Sequence, residues 1–159
     1  MAWSESGMFR EWPTQMALAS GTGYTGLDSD TIKVSLHDNG TTPNKLADLG
    51  FAAYGIGTWA PVHEVTSAPN WAAGGRPLTG KSVTGLTGGI VMFDAADLAA
   101  GGTVTLTNAF GCLVYDDSIT GGSVADQAVC FNYFGGAQSV TAGSFTLIWN
   151  QAGIFRITV

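Results

Sequence analysis

The sequence predicts an all-β protein: an antiparallel β-sandwich of jelly-roll-like type, with a short N-terminal helix or arm. Three observations predict it. From Thr103 onward, β-rich runs follow one another closely: 103–107 alternates polar and apolar residues, 110–115 and 128–134 are apolar and aromatic, and 145–149 and 154–159 close the chain. Turn-forming pairs separate these runs, namely Asn108-Ala109, Gly121-Gly122, Gly135-Gly136, Ala142-Gly143 and Ala152-Gly153, a spacing typical of sandwiches and barrels. Upstream, residues 30–36 have the same texture, with Ile32, Val34 and Leu36 on one side of a strand and Lys33 and Ser35 on the other.

The elements follow in order. Residues 1–20 read as an N-terminal arm or short helix, and 21–159 as a single sandwich domain. Residues 1–7 have no pattern and are expected to be loose. Met8, Phe9, Trp12 and Met16 fall at helical spacing. Because Pro13 suits a first turn, the helix is placed over 13–20, ending at Gly21. The apolar groups here, Trp3, Met8, Phe9, Trp12 and Met16, are either core or an anchor that docks on a partner. Residues 21–28 form a turn region, 31–36 a strand, and 37–43 a polar loop turning at Asp38-Asn39-Gly40. Over 44–59 glycines interrupt every period, leaving room for a short helix. A strand is expected at 62–66 and a loop at 68–77. Strands at 81–84 and 89–93 follow, joined by the glycine-rich turn 85–88. Residues 94–102 read as a loop or one helical turn.

At 159 residues, with 45% hydrophobic residues, the chain can bury a real core. Only 11% of residues are charged, against roughly 25% in ordinary soluble domains. A surface so poor in charge tends to associate. The net charge of −6 and a pI near 4.5 argue against nucleic-acid binding, which needs basic patches. Residues 1–12 contain Glu5, Arg10 and Glu11 and lack the apolar stretch of a signal peptide. No run approaches the ~20 apolar residues of a membrane span. Cys112 and Cys130 flank Gly121-Gly122, so a hairpin there would set them opposite or nearly opposite each other. In a reducing cytoplasm they are expected to be two buried thiols.

Several motifs invite a chemical reading. Residues 75–82, Gly-Arg-Pro-Leu-Thr-Gly-Lys-Ser, match the phosphate-loop pattern letter for letter. That motif needs a strand before it and a helix after it. Here a loop precedes, three glycines and β-branched residues follow, and Pro77 removes one of the N–H groups that would cradle phosphate. Asp28, Asp30, Asp116 and Asp117 could ligate calcium, but without a loop signature they read as turn formers. Asp94 and Asp97 read the same way, Asp94 as a cap. His63 and Glu64 are adjacent, and on a strand they would face opposite sides. Two Cys and two His at scattered positions make no zinc site. No nucleophile elbow or triad can be assembled. Catalytic, cofactor and metal sites are therefore all expected to be absent. Trp59 and Trp71 lie in loops and could form a sugar-stacking platform or pack over the sandwich ends. Trp149 alternates with Leu147 and reads as core.

Five of these runs occur in a recognisable order: Asp30-Thr31-Ile32-Lys33-Val34-Ser35-Leu36; Glu64-Val65 leading to residues 74–83; Phe93-Asp94; residues 113–117, ending Tyr-Asp-Asp; and residues 134–154, from Phe-Gly to Ala-Gly-Ile. Together they resemble a group of tailed-bacteriophage structural proteins of the head-decoration (capsid cement) or minor structural type. The chain departs from that pattern at Asn70-Trp71, where Gly-Tyr would precede the glycine pair, and in the glycine-broken stretch 49–59. The resemblance implies a capsid decoration protein and not an enzyme. Such a protein is made in the host cytoplasm and carried on the capsid exterior of the virion. Its partners would be the major capsid protein, whose subunits it bridges, and itself as a homotrimer; it would bind neither nucleic acid nor membrane. The alternatives are a host-surface or carbohydrate-binding module of the virion, or a tail or head-completion structural protein.

Overall fold

The computed structural model describes residues 3–18, 24–48, 51–120 and 125–159. Strand accounts for 43% and helix for 9%, and all the sheets are antiparallel. In chain order the elements are β1 (Gly7–Met8), α1 (Glu11–Leu18), β2 (Ile32–His37), 3-10 turns at Gly57–Trp59 and Pro61–His63, β3 (Arg76–Pro77), β4 (Ser82–Leu86), β5 (Ile90–Asp94), β6 (Leu98–Ala99), β7 (Val104–Asp116), β8 (Gln127–Gly143), β9 (Thr146–Leu147) and β10 (Phe155–Thr158). They form a five-stranded sheet ordered β1-β8-β7-β2-β3, a three-stranded sheet ordered β10-β5-β4, and a β6-β9 pair.

The frame is the long β7–β8 hairpin with β2 added to it. Three pairs expected to be turns fall within these strands, Ala142-Gly143 at the very end of β8 and the other two well inside. Asn108 has φ 56° and Gly135 φ 79°, and the β7–β8 register slips at both places. The left-handed backbone that suits a turn also suits a bulge, so the chain kinks there without reversing. The expected reversal at Gly121-Gly122 lies outside the described residues. The 82–86 and 90–94 hairpin forms as expected, paired from Ser82↔Asp94 to Leu86↔Ile90.

The five-stranded sheet is buried on both faces. On one face Ile32, Val34, Leu36, Cys112, Val114 and Cys130 join Phe93, Leu98 and Leu147 from the smaller sheets in one core. On the other, Leu113, Tyr115 and Phe131 meet Trp3, Phe9, Ala52 and Trp59. The polar side of β2 is therefore no solvent face, because Ser35 and His37 are fully buried beneath this second core.

The N-terminal segment is therefore not a separate arm. Trp3 is buried between Trp59, Phe131 and Tyr133, with ring centroids 5.7, 6.1 and 6.3 Å away. Its indole N–H donates to the Asp38 carbonyl at 2.8 Å. Gly111 leaves room for it, since a Cβ there would lie 2.4 Å from the indole ring. Gly7 and Met8 pair with Phe131 and Cys130. The helix spans Glu11–Leu18, beginning two residues before the expected start. Pro13 is tolerated because the first four N–H groups of a helix have no partner within it. Trp12 is buried against Phe155 of β10, 5.8 Å between centroids.

Two further expectations are corrected. No strand runs over 62–66: Pro61 starts a 3-10 turn, and Glu64 makes a single bridge to His37. The strand expected over 145–149 is only Thr146–Leu147.

Candidate functional site

Ser35 and His37 sit two residues apart on β2 and so share a face. Ser35 Oγ and His37 Nε2 are hydrogen bonded at 2.9 Å. A hydroxyl beside an imidazole is the start of a nucleophile–base pair, but both side chains are fully buried and the Trp59 ring lies edge-on 5.0 Å from His37. Burial, followed by the nearby His63, pulls the His37 pKa down to about 3. The carboxylate next in sequence, Asp38, is spent elsewhere: it lies 3.3 Å from His63 Nδ1 and accepts from the Gly40 N–H at 2.7 Å. The pair is closed to any substrate, and the His37 ring packs against Trp59 of the second core.

His63 and Glu64 point to different partners, as adjacent residues should. Glu64 accepts from the Tyr54 hydroxyl and the Gly74 N–H, both at 2.8 Å. Burial pushes its carboxyl up despite these bonds. Tyr115 donates to the Gly74 carbonyl at 2.7 Å and stacks on Tyr54 with centroids 4.7 Å apart. This network fastens the 51–64 loop and the glycine pair to β7.

The phosphate-loop match dissolves in the structure. Gly75, at φ +71°, lies so close to β2 that a Cβ would meet the Val34 carbonyl oxygen at 1.8 Å. Arg76 and Pro77 form the edge strand β3, and Ser82 opens strand β4 where the motif needs a helix. Lys81 Nζ donates to the main-chain carbonyl of Asp30.

Of the four candidate calcium ligands, Asp30 and Asp116 come together. Both are buried. Asp30 accepts from the Thr25 N–H at 2.9 Å, the Thr25 hydroxyl and the Gly26 N–H at 3.1 Å. Burial pushes its carboxyl up, but these hydrogen bonds outweigh it and hold the carboxyl below its usual value. Asp116 accepts from the Ser118 N–H at 3.0 Å. Burial first, and the Asp30 charge second, push Asp116 up to about 7. The two carboxyls thus titrate apart, with Asp116 keeping its proton beside an ionised Asp30. Asp117 instead pairs with Lys33 at 2.8 Å. Among the described residues, no group of three or more His, Cys, Asp or Glu is placed to hold a metal ion.

Cys112 and Cys130 are free and buried on one face of the β7–β8 ladder. Cys112 lies opposite Asn132 and Cys130 opposite Val114, so the thiols are one diagonal apart. Burial pushes the Cys112 thiol up to about 12, which makes it inert.

Trp59 and Trp71 are both buried and form no platform. The accessible aromatic surface lies elsewhere. A groove of about 370 Å³ runs between the second half of β8 and residues 145–154, walled by Phe134, Phe145 and Trp149. Trp149, expected in the core, is only partly buried there. The sequence showed apolar residues at 145, 147, 148 and 149, which breaks strict alternation. That break was the available sign that this segment is not an ordinary half-buried strand.

Of the five N-terminal contact candidates, Trp3, Phe9 and Trp12 are core, and Met8 and Met16 are half-buried against it. Docking on a partner through the three aromatics would require opening the protein's own core, so they are corrected to core residues. The exposed apolar side chains are others. Leu46 and Phe51, 61% and 59% exposed, line a hollow over 42–59. Val83 of β4 is 47% exposed, and Val159, just beyond β10, is 91% exposed. Among the described residues, no helix is long and apolar enough to cross a membrane. Comparison with family models, curated proteins and solved structures found no match in any of the three.

Proposed function

We propose that this protein is a structural component of a tailed-phage virion, a decoration protein that binds the outside of the head and bridges major-capsid subunits. The observation that carries this reading is the three-stranded sheet. Both of its edges are open: β4 and β10 each pair only with β5 among the described residues. β4, Ser82-Val83-Thr84-Gly85-Leu86, has neither the charge nor the proline that normally blunts an exposed edge. An unguarded edge offers a row of main-chain donors and acceptors to another strand. Two unlike edges on one sheet suit head-to-tail joining of copies, which closes into a ring when the rotation allows. Three copies would form the ring that fits a local threefold position of a shell.

A bridging protein needs a second contact surface. The hollow at Leu46 and Phe51, built from a different part of the chain and lined also by Thr42, Asn44 and Asp48, supplies one of mixed apolar and polar character for the shell. The low charge content, the net charge of −6 and the ordered motifs of residues 28–159 support the same reading. In it the protein's work is mechanical: weak contacts, repeated in an oligomer, add up through effective concentration. The protein partners are the major capsid protein and further copies of this chain, with no part for nucleic acid, membrane or cofactor. The test is co-sedimentation with undecorated heads, followed by gel densitometry of virions. Saturable binding and hundreds of copies per particle are expected. Failure to bind heads, or a few dozen copies or fewer, would place the protein in the tail or in head completion.

A further inference from the structure

We infer that the groove between β8 and residues 145–154 is a binding site for a neutral saccharide. Its volume, about 370 Å³, falls within the roughly 300–1,000 Å³ of small-ligand sites. Four aromatic residues, Tyr133, Phe134, Phe145 and Trp149, line it, and Asn132, Gln138 and Asn150 stand among them. The buried Leu147 and Ile154 lie there too. No residue lining the groove carries a charge.

The walls are held in place before any ligand arrives. The Trp149 main-chain N–H donates to Asp97 Oδ1 at 3.0 Å, and its indole N–H donates to the Ala96 carbonyl at 3.2 Å. With the indole nitrogen tied down, what Trp149 offers the groove is ring surface. Phe145 stands edge-on against the buried Trp71, 5.5 Å between centroids at 87°. Asn150 Oδ1 accepts from the Ala152 N–H at 2.8 Å, which orients the amide and leaves its NH₂ group for a ligand. Trp149, Phe145 and Asn150, fixed by packing and hydrogen bonds, lose little entropy on binding.

The chemistry of the lining selects the ligand class. An aromatic face is electron-rich and attracts the weakly positive C–H groups on the flat side of a pyranose ring. Together the side-chain amides offer donors and an acceptor, the Asn150 NH₂ group and both ends of Gln138, matching hydroxyl groups that also do both. A purely apolar ligand would bury these amides without partners, at a cost. An anionic ligand would find no cation in the groove and would meet a protein of net charge −6. A neutral sugar satisfies both surfaces. This inference does not depend on the capsid reading, because the groove shares no residue with β4 or with the Leu46 hollow.

The test is an NMR titration of isotope-labelled protein with maltohexaose, cellohexaose and the N-acetylglucosamine hexamer. Hexagalacturonate and adenosine serve as an acidic sugar and a flat non-sugar. At least one neutral hexamer is expected to shift the Trp149 indole signal and the main-chain amides of 145–150. Trp149→Ala should weaken that binding by about tenfold or more. Gln138→Ala, at an exposed position where the fold is not at risk, should weaken it with an otherwise unchanged spectrum. The inference is overturned if no neutral hexamer moves these signals at millimolar concentration. It is equally overturned if hexagalacturonate or adenosine binds as tightly, or if Gln138→Ala binds like the parent protein.

Discussion

The five-stranded and three-stranded sheets of this protein treat their edges and faces in opposite ways. The larger sheet ends in two-residue strands on both sides, β1 and β3, and β3 contains Pro77. Short edges and proline are the usual means of stopping further pairing. Its two faces are covered by two separate cores. The smaller sheet ends in β4, of five residues, and β10, of four, and β4 is exposed along most of its length. One sheet is finished within the chain, whereas the other is built as though something else completes it. The stability of the fold should therefore reside in the first sheet and its capacity to associate in the second.

The sharpest way to break this comparison is to damage the second core. Trp3→Ala removes a fully buried indole and should cost about 3–5 kcal/mol, read as a large drop in the urea midpoint. Truncation to Gly21 should leave no cooperative melt, because Trp3, Phe9 and Trp12 are lost together. A truncated protein that melts like the parent would show that the N-terminal segment is an arm after all.

The next effect is a pH dependence confined to the larger sheet. Asp116 is raised to about 7, above its unfolded value near 3.9. The stability this gives is present below about pH 4 and lost as pH rises through 7, because the unfolded chain ionises first. Asp116→Asn cannot ionise and should remove this loss. Its gain should be absent near pH 4 and reach on the order of 2–4 kcal/mol above pH 7. His37 works the other way. Held at about 3, it contributes stability above about pH 6.5 that is lost as pH falls toward 3. In the parent the two slopes oppose each other. In Asp116→Asn the histidine slope is no longer opposed by Asp116, so between pH 4 and 6.5 stability should climb more with pH than in the parent in urea melts. A variant as flat as the parent would contradict both assignments.

Smaller still is Lys81→Ala. It removes the Asp30 carbonyl's partner and should cost about 1–2 kcal/mol in a thermal melt. Equilibrium dialysis with ATP should find no binding in either protein.

How much of this was legible in the sequence differs between the two sheets. The 82–94 hairpin was legible because glycines and β-branched residues mark its turn and strands unambiguously. The single face expected for β2 was not. Lys33, Ser35 and His37 are polar, and polar residues at alternate positions read as solvent-facing. Lys33 does stay partly exposed, paired with Asp117, but Ser35 and His37 are buried under the second core, whose Trp3 and Trp59 come from sequence positions about 30 residues before and 20 after. A clue was present in 110–115 and 128–131, which are continuously apolar and not alternating, as strands buried on both faces are. Bulges hid inside turn signals for a simpler reason: Asn108 and Gly135 supply the same left-handed backbone to both. The groove escaped because Trp149, two residues after Leu147, has a strand's spacing as long as the apolar Ile148 between them is passed over, while the segment itself leaves the sheet after two residues.

The smallest effect on stability decides the central claim. Thr84→Lys places a charge on the exposed β4 edge, where side chains contribute little to the monomer, and should alter its stability by less than about 0.5 kcal/mol. It should nevertheless weaken self-association by about tenfold or more, ~1.4 kcal/mol. Sedimentation equilibrium of the parent and this variant, over the same micromolar range, is the direct measurement. The account predicts a parent that sediments as a multiple of its 16.4 kDa chain mass and a variant that shifts to monomer while melting as the parent does. A parent that is monomeric throughout, or a variant that assembles as tightly, would contradict it.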